Sequence, residues 1–185
     1  GLEGIAANIQ TGILNCGEFS DEFKTKFTKQ VYPTLISATT VAISNDMSLE
    51  DNMIITGPNA SGKTTQLKTT AINVIFTQQF GVGFYEKCEM APYTHIHSYL
   101  NIPDTSGRDS LFQAEARRCK DILDIIDDSQ DDSQDKSNDK SHYSCNESKH
   151  FCIFDELFSG TNAEEATSAS YGFLKYLQKR ENVDF

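Results

Sequence analysis

The chain has 185 residues, 38% of them hydrophobic, enough for a single domain burying roughly 70% of the surface its unfolded chain exposes. Acidic residues outnumber basic ones 27 to 16, and the net charge of −11 argues against a general binder of the phosphate backbone, which needs clustered lysine and arginine. The five cysteines (Cys16, Cys88, Cys119, Cys145, Cys152) form no C-x-x-C pair; they suit reduced thiols in an intracellular compartment, cytoplasmic or nuclear, and no apolar run approaches the ~20 residues of a membrane span.

In chain order, residues 1–30 read as the remnant of an upstream helical region, although the glycines within Gly1 to Gly17 weaken any long helix there. Ser20 stands where a cap would precede a helix, and Phe19, Phe23 and Phe27 recur every four residues, a stripe expected to pack, with Pro33 ending the element. Two short strands are predicted at Thr39 to Ile43 and Met53 to Thr56, separated by Ser44-Asn45-Asp46 and Glu50-Asp51-Asn52. A helix follows from Lys63 to about Gln79, with Leu67, Ala71, Val74, Ile75 and Gln78 in register and Gly81 closing it.

Val82 to Tyr85 and Thr94 to Leu100 read as strands, Asn101 to Asp109 as a loop, and Leu111, Glu115, Cys119, Ile122 and Ile126 as one face of a helix. Asp127 to Lys149 is rich in Asp, Ser, Gln, Asn and Lys, and it is expected to be a disordered insertion because it has too little apolar surface to offset its ordering entropy. Phe151-Cys152-Ile153-Phe154, ending in Asp155-Glu156, has the pattern of a buried parallel strand whose C-terminal end opens into a site. A last helix is predicted from Ala163 to Lys179 with Ala166, Ala169, Phe173, Leu174 and Leu177 inward, and Asn182 to Phe185 as the opening of another strand.

Chemistry concentrates in two places. Gly57-Pro58-Asn59-Ala60-Ser61-Gly62-Lys63-Thr64 matches G-x-x-x-x-G-K-[ST] between a predicted strand and a predicted helix. Its glycines let backbone N–H groups approach phosphates, the helix N-terminus favours an anion, Lys63 would neutralise the β- and γ-phosphates, and the Thr64 hydroxyl would ligate Mg²⁺. The second place is Asp155-Glu156, where the aspartate would hold the Mg²⁺ shell and the glutamate would orient or deprotonate the attacking water. The expected fold is a three-layer α/β P-loop NTPase with a mainly parallel sheet flanked by helices, and antiparallel additions near Val82 to Leu100.

Gly57 to Thr65, Ser110-Leu111-Phe112-Gln113-Ala114-Glu115, and Asp155-Glu156-Leu157-Phe158-Ser159-Gly160-Thr161-Asn162 together resemble the ATPase domain of the MutS family of DNA mismatch repair proteins, an ABC-type ATPase. The resemblance covers residues 31–185, with 127–149 as an insertion. It implies that Gly57, Pro58, Asn59, Ala60, Ser61, Gly62, Lys63, Thr64 and Thr65 bind ATP, and that Thr64 and Asp155 serve Mg²⁺. Lys63, Glu156 and Ser110 would be the catalytic residues. By sequence alone Ser110 is a helix cap; the resemblance implies that it reaches the γ-phosphate held by the opposite subunit of a head-to-tail dimer, formed by two copies or with another MutS-like chain. Ser159 to Asn162 would line that interface, Val82 to Pro92 would link ATP state to the rest of the protein, and DNA would be met through upstream domains.

The chain departs from the family pattern in having Asp109 between Arg108 and Ser110, and in lacking at Ala42-Ile43 the aromatic that relatives stack on adenine. The family's switch histidine is expected beyond Phe185. His95 and His97 share one face of a predicted strand, and like His142, Cys145 and His150 they match no zinc spacing. A second reading of the whole is a nucleotide-gated dimerisation module with little hydrolysis; a G-protein is disfavoured, because no N-K-x-D base-reading motif occurs.

Overall fold

A computed structural model describes residues 2–22, 24–36, 42–100, 110–135 and 148–185. The chain divides into two compact units, Gly1–Pro92 and Tyr93–Phe185.

In the first unit, α1 (Leu2–Gln10) leads to β1 (Asn15–Cys16), β2 (Glu18–Phe19), β3 (Lys26–Gln30), a 3₁₀ turn at Pro33–Leu35, β4 (Asn45–Ser48), α2 (Lys63–Phe80), β5 (Val82–Gly83) and β6 (Lys87–Met90). One sheet has the order β2-β6-β3-β4, with β3 antiparallel to both neighbours and β2 parallel to β6, while β1 and β5 form an antiparallel pair. The helix expected after Ser20 is absent: the Ser20 hydroxyl accepts the Glu22 N–H at 3.3 Å in a tight turn, and β3 buries Phe27 and Gln30. A four-residue spacing of aromatics fits one strand face as well as one helix face, and here sheet pairing decides between them. Phe23 lies outside the described residues.

Among the described residues, neither predicted strand before α2 forms a ladder. Residues 39–41 lie outside the described residues, Ala42 and Ile43 are irregular, and Met53 to Thr56 pair with no strand, leaving Ile54 69% exposed. Three apolar residues and a threonine do not specify a strand unless an edge is available to satisfy their backbone groups.

Helix α2 matches its predicted span and ends at Gly81, whose φ of 72° lets its N–H reach the Thr77 carbonyl at 2.8 Å. Its buried face matches the predicted one only in part, at Val74. Thr69, Thr70, Asn73, Val74 and Thr77 are buried, whereas Ile75 is exposed. The polar groups are paired: Thr69 donates to the Thr65 carbonyl at 2.7 Å, Thr77 to the Asn73 carbonyl at 2.6 Å, Gln30 Nε2 to Thr70 Oγ1 at 2.9 Å, and the Phe84 N–H to Asn73 Oδ1 at 2.8 Å. A hydrogen-bonded polar group is no longer costly to bury, so apolar periodicity alone misplaces the face.

The second unit is a βαβαβ run: β7 (His95–Tyr99), α3 (Leu111–Asp135), β8 (His150–Phe154), α4 (Ala163–Leu177) and β9 (Val183–Asp184). Its sheet, β7-β8-β9, is wholly parallel. The parallel sheet expected from the sequence is realised here, where each pair of successive strands is joined by a helical crossover, while the first unit is mixed. The additions expected near Val82 to Leu100 follow the same split, with β5 and β6 making antiparallel pairs and β7 a parallel one.

Tyr99, Cys119, Ile122, Ile126, Cys152, Phe173, Leu177 and Val183 form one core, with Ala166, Ala169 and Leu174 packed against it. Both helices thus turn inward the faces their periodicity predicts. Helix α3 continues past Asp127 to Asp135, so the first part of the expected insertion is helical; residues 136–147, with His142 and Cys145, lie outside the described residues, as does the predicted loop 101–109 with Arg108 and Asp109.

Candidate functional site

The loop Gly57 to Gly62 enters α2 through two left-handed residues, Ala60 at φ 61° and Gly62 at φ 92°. Glycine adopts that conformation without penalty, and Gly62 directly precedes Lys63 at the first helical position. At Gly57 an added Cβ would stand 3.0 Å from Ser61 Oγ, so the loop is tight at its start. Lys63 folds back over it, with Nζ donating to the Gly57 and Pro58 carbonyls at 2.9 Å each. Gly57, Pro58, Asn59, Ala60, Ser61, Gly62 and Thr65 are exposed, while Lys63 and Thr64 are half-buried.

A cavity of about 470 Å³ opens beside the loop, lined by Tyr32, Leu35 and Ile43 on its apolar side and by Ser61, Gly62, Lys63 and Thr65 on its polar side. The cavity thus combines apolar side chains with a helix N-terminus and an ammonium, surfaces that favour flat apolar groups and anions respectively. Sequence reasoning missed Tyr32, which supplies an aromatic ring although none is present at Ala42-Ile43.

Asp155 and Glu156 follow the buried strand β8 as predicted, Asp155 half-buried and Glu156 exposed. The Asp155 N–H donates to the Tyr99 carbonyl at 3.0 Å, extending the β7–β8 ladder by one rung. Beyond it the chain turns sharply, with Glu156 at φ 51° and Phe158 at φ 57°, the left-handed region that non-glycine residues enter only when their surroundings hold them. Those surroundings are specific. The Phe158 N–H donates to the Tyr99 hydroxyl at 3.3 Å, and the Phe158 ring packs on Phe112 of α3 with centroids 5.7 Å apart. The Glu115 carboxylate, buried on α3, accepts the Ser159 N–H and hydroxyl at 2.9 Å each and the Gly160 N–H at 3.0 Å.

Ser110 caps α3 reciprocally: its N–H donates to Gln113 Oε1 at 3.0 Å and its hydroxyl accepts the Gln113 N–H at 3.3 Å. Asn162 caps α4 one way only, its Oδ1 accepting the Glu165 N–H at 3.0 Å, while the Glu165 carboxylate accepts the Thr161 hydroxyl. The structure therefore brings Ser110, Asp155, Glu156 and Ser159 to Asn162 into the second unit, joined through α3, and gathers Gly57 to Thr65 in the first. The signal for Glu115 was legible in the sequence: a carboxylate at a core position of an otherwise apolar stripe.

His95, His97 and His150 form a stack across β7 and β8. The rings of His95 and His150 lie 4.6 Å apart, and His150 Nδ1 is 3.0 Å from His97 Nε2 while its Nε2 is 2.9 Å from Ser129 Oγ. Burial, reinforced by His95 and Arg118, lowers the pKa of His97 to about 4, and burial with His95 and His97 does the same for His150. Among the described residues no group of three or more His, Cys, Asp or Glu is arranged to hold a metal ion. Burial also pushes the Cys119 and Cys152 thiols up to about 12, which leaves them as inert core residues.

The residues thus define an α/β chain with a glycine-rich loop opening one helix and a paired acid ending one buried parallel strand. Comparison with characterised sequences finds distant similarity to MutS proteins. The chain is 26% identical over 167 residues to endonuclease MutS2 of Acetivibrio thermocellus, with 89% of the chain and 19% of that protein covered. It is 26% identical over 172 residues to DNA mismatch repair protein MSH3 of Candida albicans (87% and 14% covered), and 26% identical over 152 residues to DNA mismatch repair protein MutS of Parabacteroides distasonis (76% and 14% covered). The chain is thus distantly similar to MutS-family proteins, and it spans about a fifth or less of the length of these relatives. No family model matches it. Among the described residues no helix is long and apolar enough to cross a membrane.

Proposed function

We propose that this chain is the ATP-binding and ATP-hydrolysing part of a MutS-like DNA mismatch repair protein, acting with Mg²⁺ and coupling ATP state to the handling of mismatched DNA through a head-to-tail dimer. The observation that carries the reading is Lys63 at the first position of α2, behind the tight loop Gly57 to Gly62 and facing a cavity with both apolar and cationic walls. The relatives support it, since two of them are DNA mismatch repair proteins by name.

In this reading the backbone N–H groups around Gly62 and the Lys63 ammonium bind the phosphates, Lys63 exchanging its loop carbonyls for phosphate oxygens. Tyr32, Leu35 and Ile43 seat the base. Thr64 and Asp155 offer the hard oxygen donors that Mg²⁺ prefers. When bound there, the metal would supply positive charge to offset the charge of the phosphates. Glu156 accepts a proton from the attacking water, and Ser110 with the N-terminus of α3 presents a hydroxyl and a partial positive charge to the terminal phosphate bound by a partner. The partner is a second copy or another MutS-like chain, and DNA is reached through other parts of the protein.

A nucleotide-gated dimerisation module with little turnover is the second reading. It draws on Met53 to Thr56, which stands outside every ladder among the described residues and so leaves the loop without a strand behind it. A single-turnover assay with ATP and Mg²⁺ separates the two: hydrolysis produces ADP that disappears in Glu156→Gln, whereas the module binds ATP and returns it unchanged.

A further inference from the structure

The loop after β8 holds two non-glycine residues in left-handed conformations, Glu156 and Phe158, which persist only where their surroundings dictate them. What dictates them is a buried carboxylate. Glu115 is 2% exposed and spends both oxygens on this loop, Oε1 on the Ser159 N–H and hydroxyl, Oε2 on the Gly160 N–H. Tyr99 holds the next amide back, accepting the Phe158 N–H, and its own hydroxyl is pushed well above the usual tyrosine range by burial and by Glu115. Gly160 makes the fit close, since a Cβ there would stand 2.7 Å from the Phe112 backbone nitrogen. Loop and first turns of α3 are thereby one body.

We propose that Glu115 is a positioning residue for Glu156, fixing the left-handed turn so that the Glu156 carboxylate is aimed and so that Ser110, one turn and a half away on the same helix, keeps a constant spacing from it. The proposal rests on the ATPase reading above. A carboxylate suits the task because it only accepts, and three donors converge on it. Glutamine in its place brings an amide NH₂ against one of those donors; aspartate is one methylene too short to reach them from the same backbone.

The test uses the whole chain in four forms: unaltered, Glu115→Gln, Tyr99→Phe and Glu156→Gln. Hydrogen exchange at the Ser159 and Gly160 amides, measured without nucleotide, reads the clamp by itself, and ATP titration and turnover read its consequence. In Glu115→Gln we expect those two amides to exchange at least about tenfold faster, kcat to fall at least about tenfold, and ATP affinity and KM to stay within about twofold. A merely structural glutamate would lower stability and leave the kcat-to-KM split unmoved. Should Glu115→Gln fail to fold, Tyr99→Phe, which loosens only the Phe158 amide, is expected to show the same pattern at smaller amplitude. Unchanged kcat in a folded Glu115→Gln, or amides as protected as before, would overturn the positioning role while loss of turnover in Glu156→Gln upholds the ATPase reading. Unchanged turnover in Glu156→Gln would overturn both, even where the exchange data show the clamp to exist.

Discussion

His97 and His150 face each other across neighbouring strands with Nε2 and Nδ1 3.0 Å apart, so one of the two nitrogens must carry a hydrogen and the other a lone pair. Protonating both would set two donors against each other beside His95 and Arg118. The folded pKa of each is depressed to about 4, against about 6.5 in an unfolded chain. Between those values the unfolded chain binds more protons, so the stability contributed by the neutral pair is complete above about pH 6.5 and is lost as the pH falls toward 4. Thermal denaturation across this window should show that loss, on the order of a few kcal/mol, and a His97→Asn/His150→Gln double variant should show a flatter profile. An equally steep decline in the double variant would place the acid sensitivity elsewhere.

Lys63→Ala should weaken ATP binding at least about tenfold, a difference of about 1.4 kcal/mol, because it deletes the ammonium aimed at the loop. Its melting temperature should hardly change, since the hydrogen bonds it loses are to solvent-accessible carbonyls. Titration calorimetry showing unaltered affinity would remove the loop from the binding site.

Association of two chains should follow ATP and Mg²⁺ in the Glu156→Gln variant, in which the ATP state accumulates. Ligand binding that needs both chains promotes their dimerisation by linkage. Ser110→Arg should abolish that association and leave ATP binding by the single chain intact. Sedimentation with and without ATP checks both; a Glu156→Gln protein that stays monomeric at saturating ATP would rule out a shared site in this chain.

Asn73→Ala should destabilise the fold by roughly 1–3 kcal/mol, because it strands the Phe84 N–H that Asn73 Oδ1 accepts at 2.8 Å in a buried setting. Urea denaturation of the variant gives the number, and a loss below about 0.5 kcal/mol would mean that water replaces the side chain.

Much of the second unit was legible in the sequence, since its helices carry apolar stripes, α3's broken by Glu115, and its central strand is apolar from Phe151 to Phe154; Cys119, Ile122 and Ile126, like Phe173 and Leu177, lie where periodicity puts them. The first unit was harder, for reasons that are local. Phe19, Phe23 and Phe27 satisfy two periodicities at once, and the packed face of α2 is built from Thr69, Thr70, Asn73 and Thr77, which no hydropathy pattern marks. At the candidate site, the glycines and Lys63 were readable because their spacing is itself the signal. Glu115 and Tyr99 were not readable as a clamp, because what they do depends on backbone N–H groups 44 and 59 residues away along the chain.

The polar seam under α2 also governs how that helix can move. Apolar surfaces slide over one another at little cost, since one methyl contact replaces another, whereas a seam of directional bonds has one register. A shift of α2 along its axis by a single residue would unseat the Gln30–Thr70 and Asn73–Phe84 bonds together. Any displacement of Lys63 passed down this helix must then arrive as a tilt or as complete release, a stepwise response in place of a graded one.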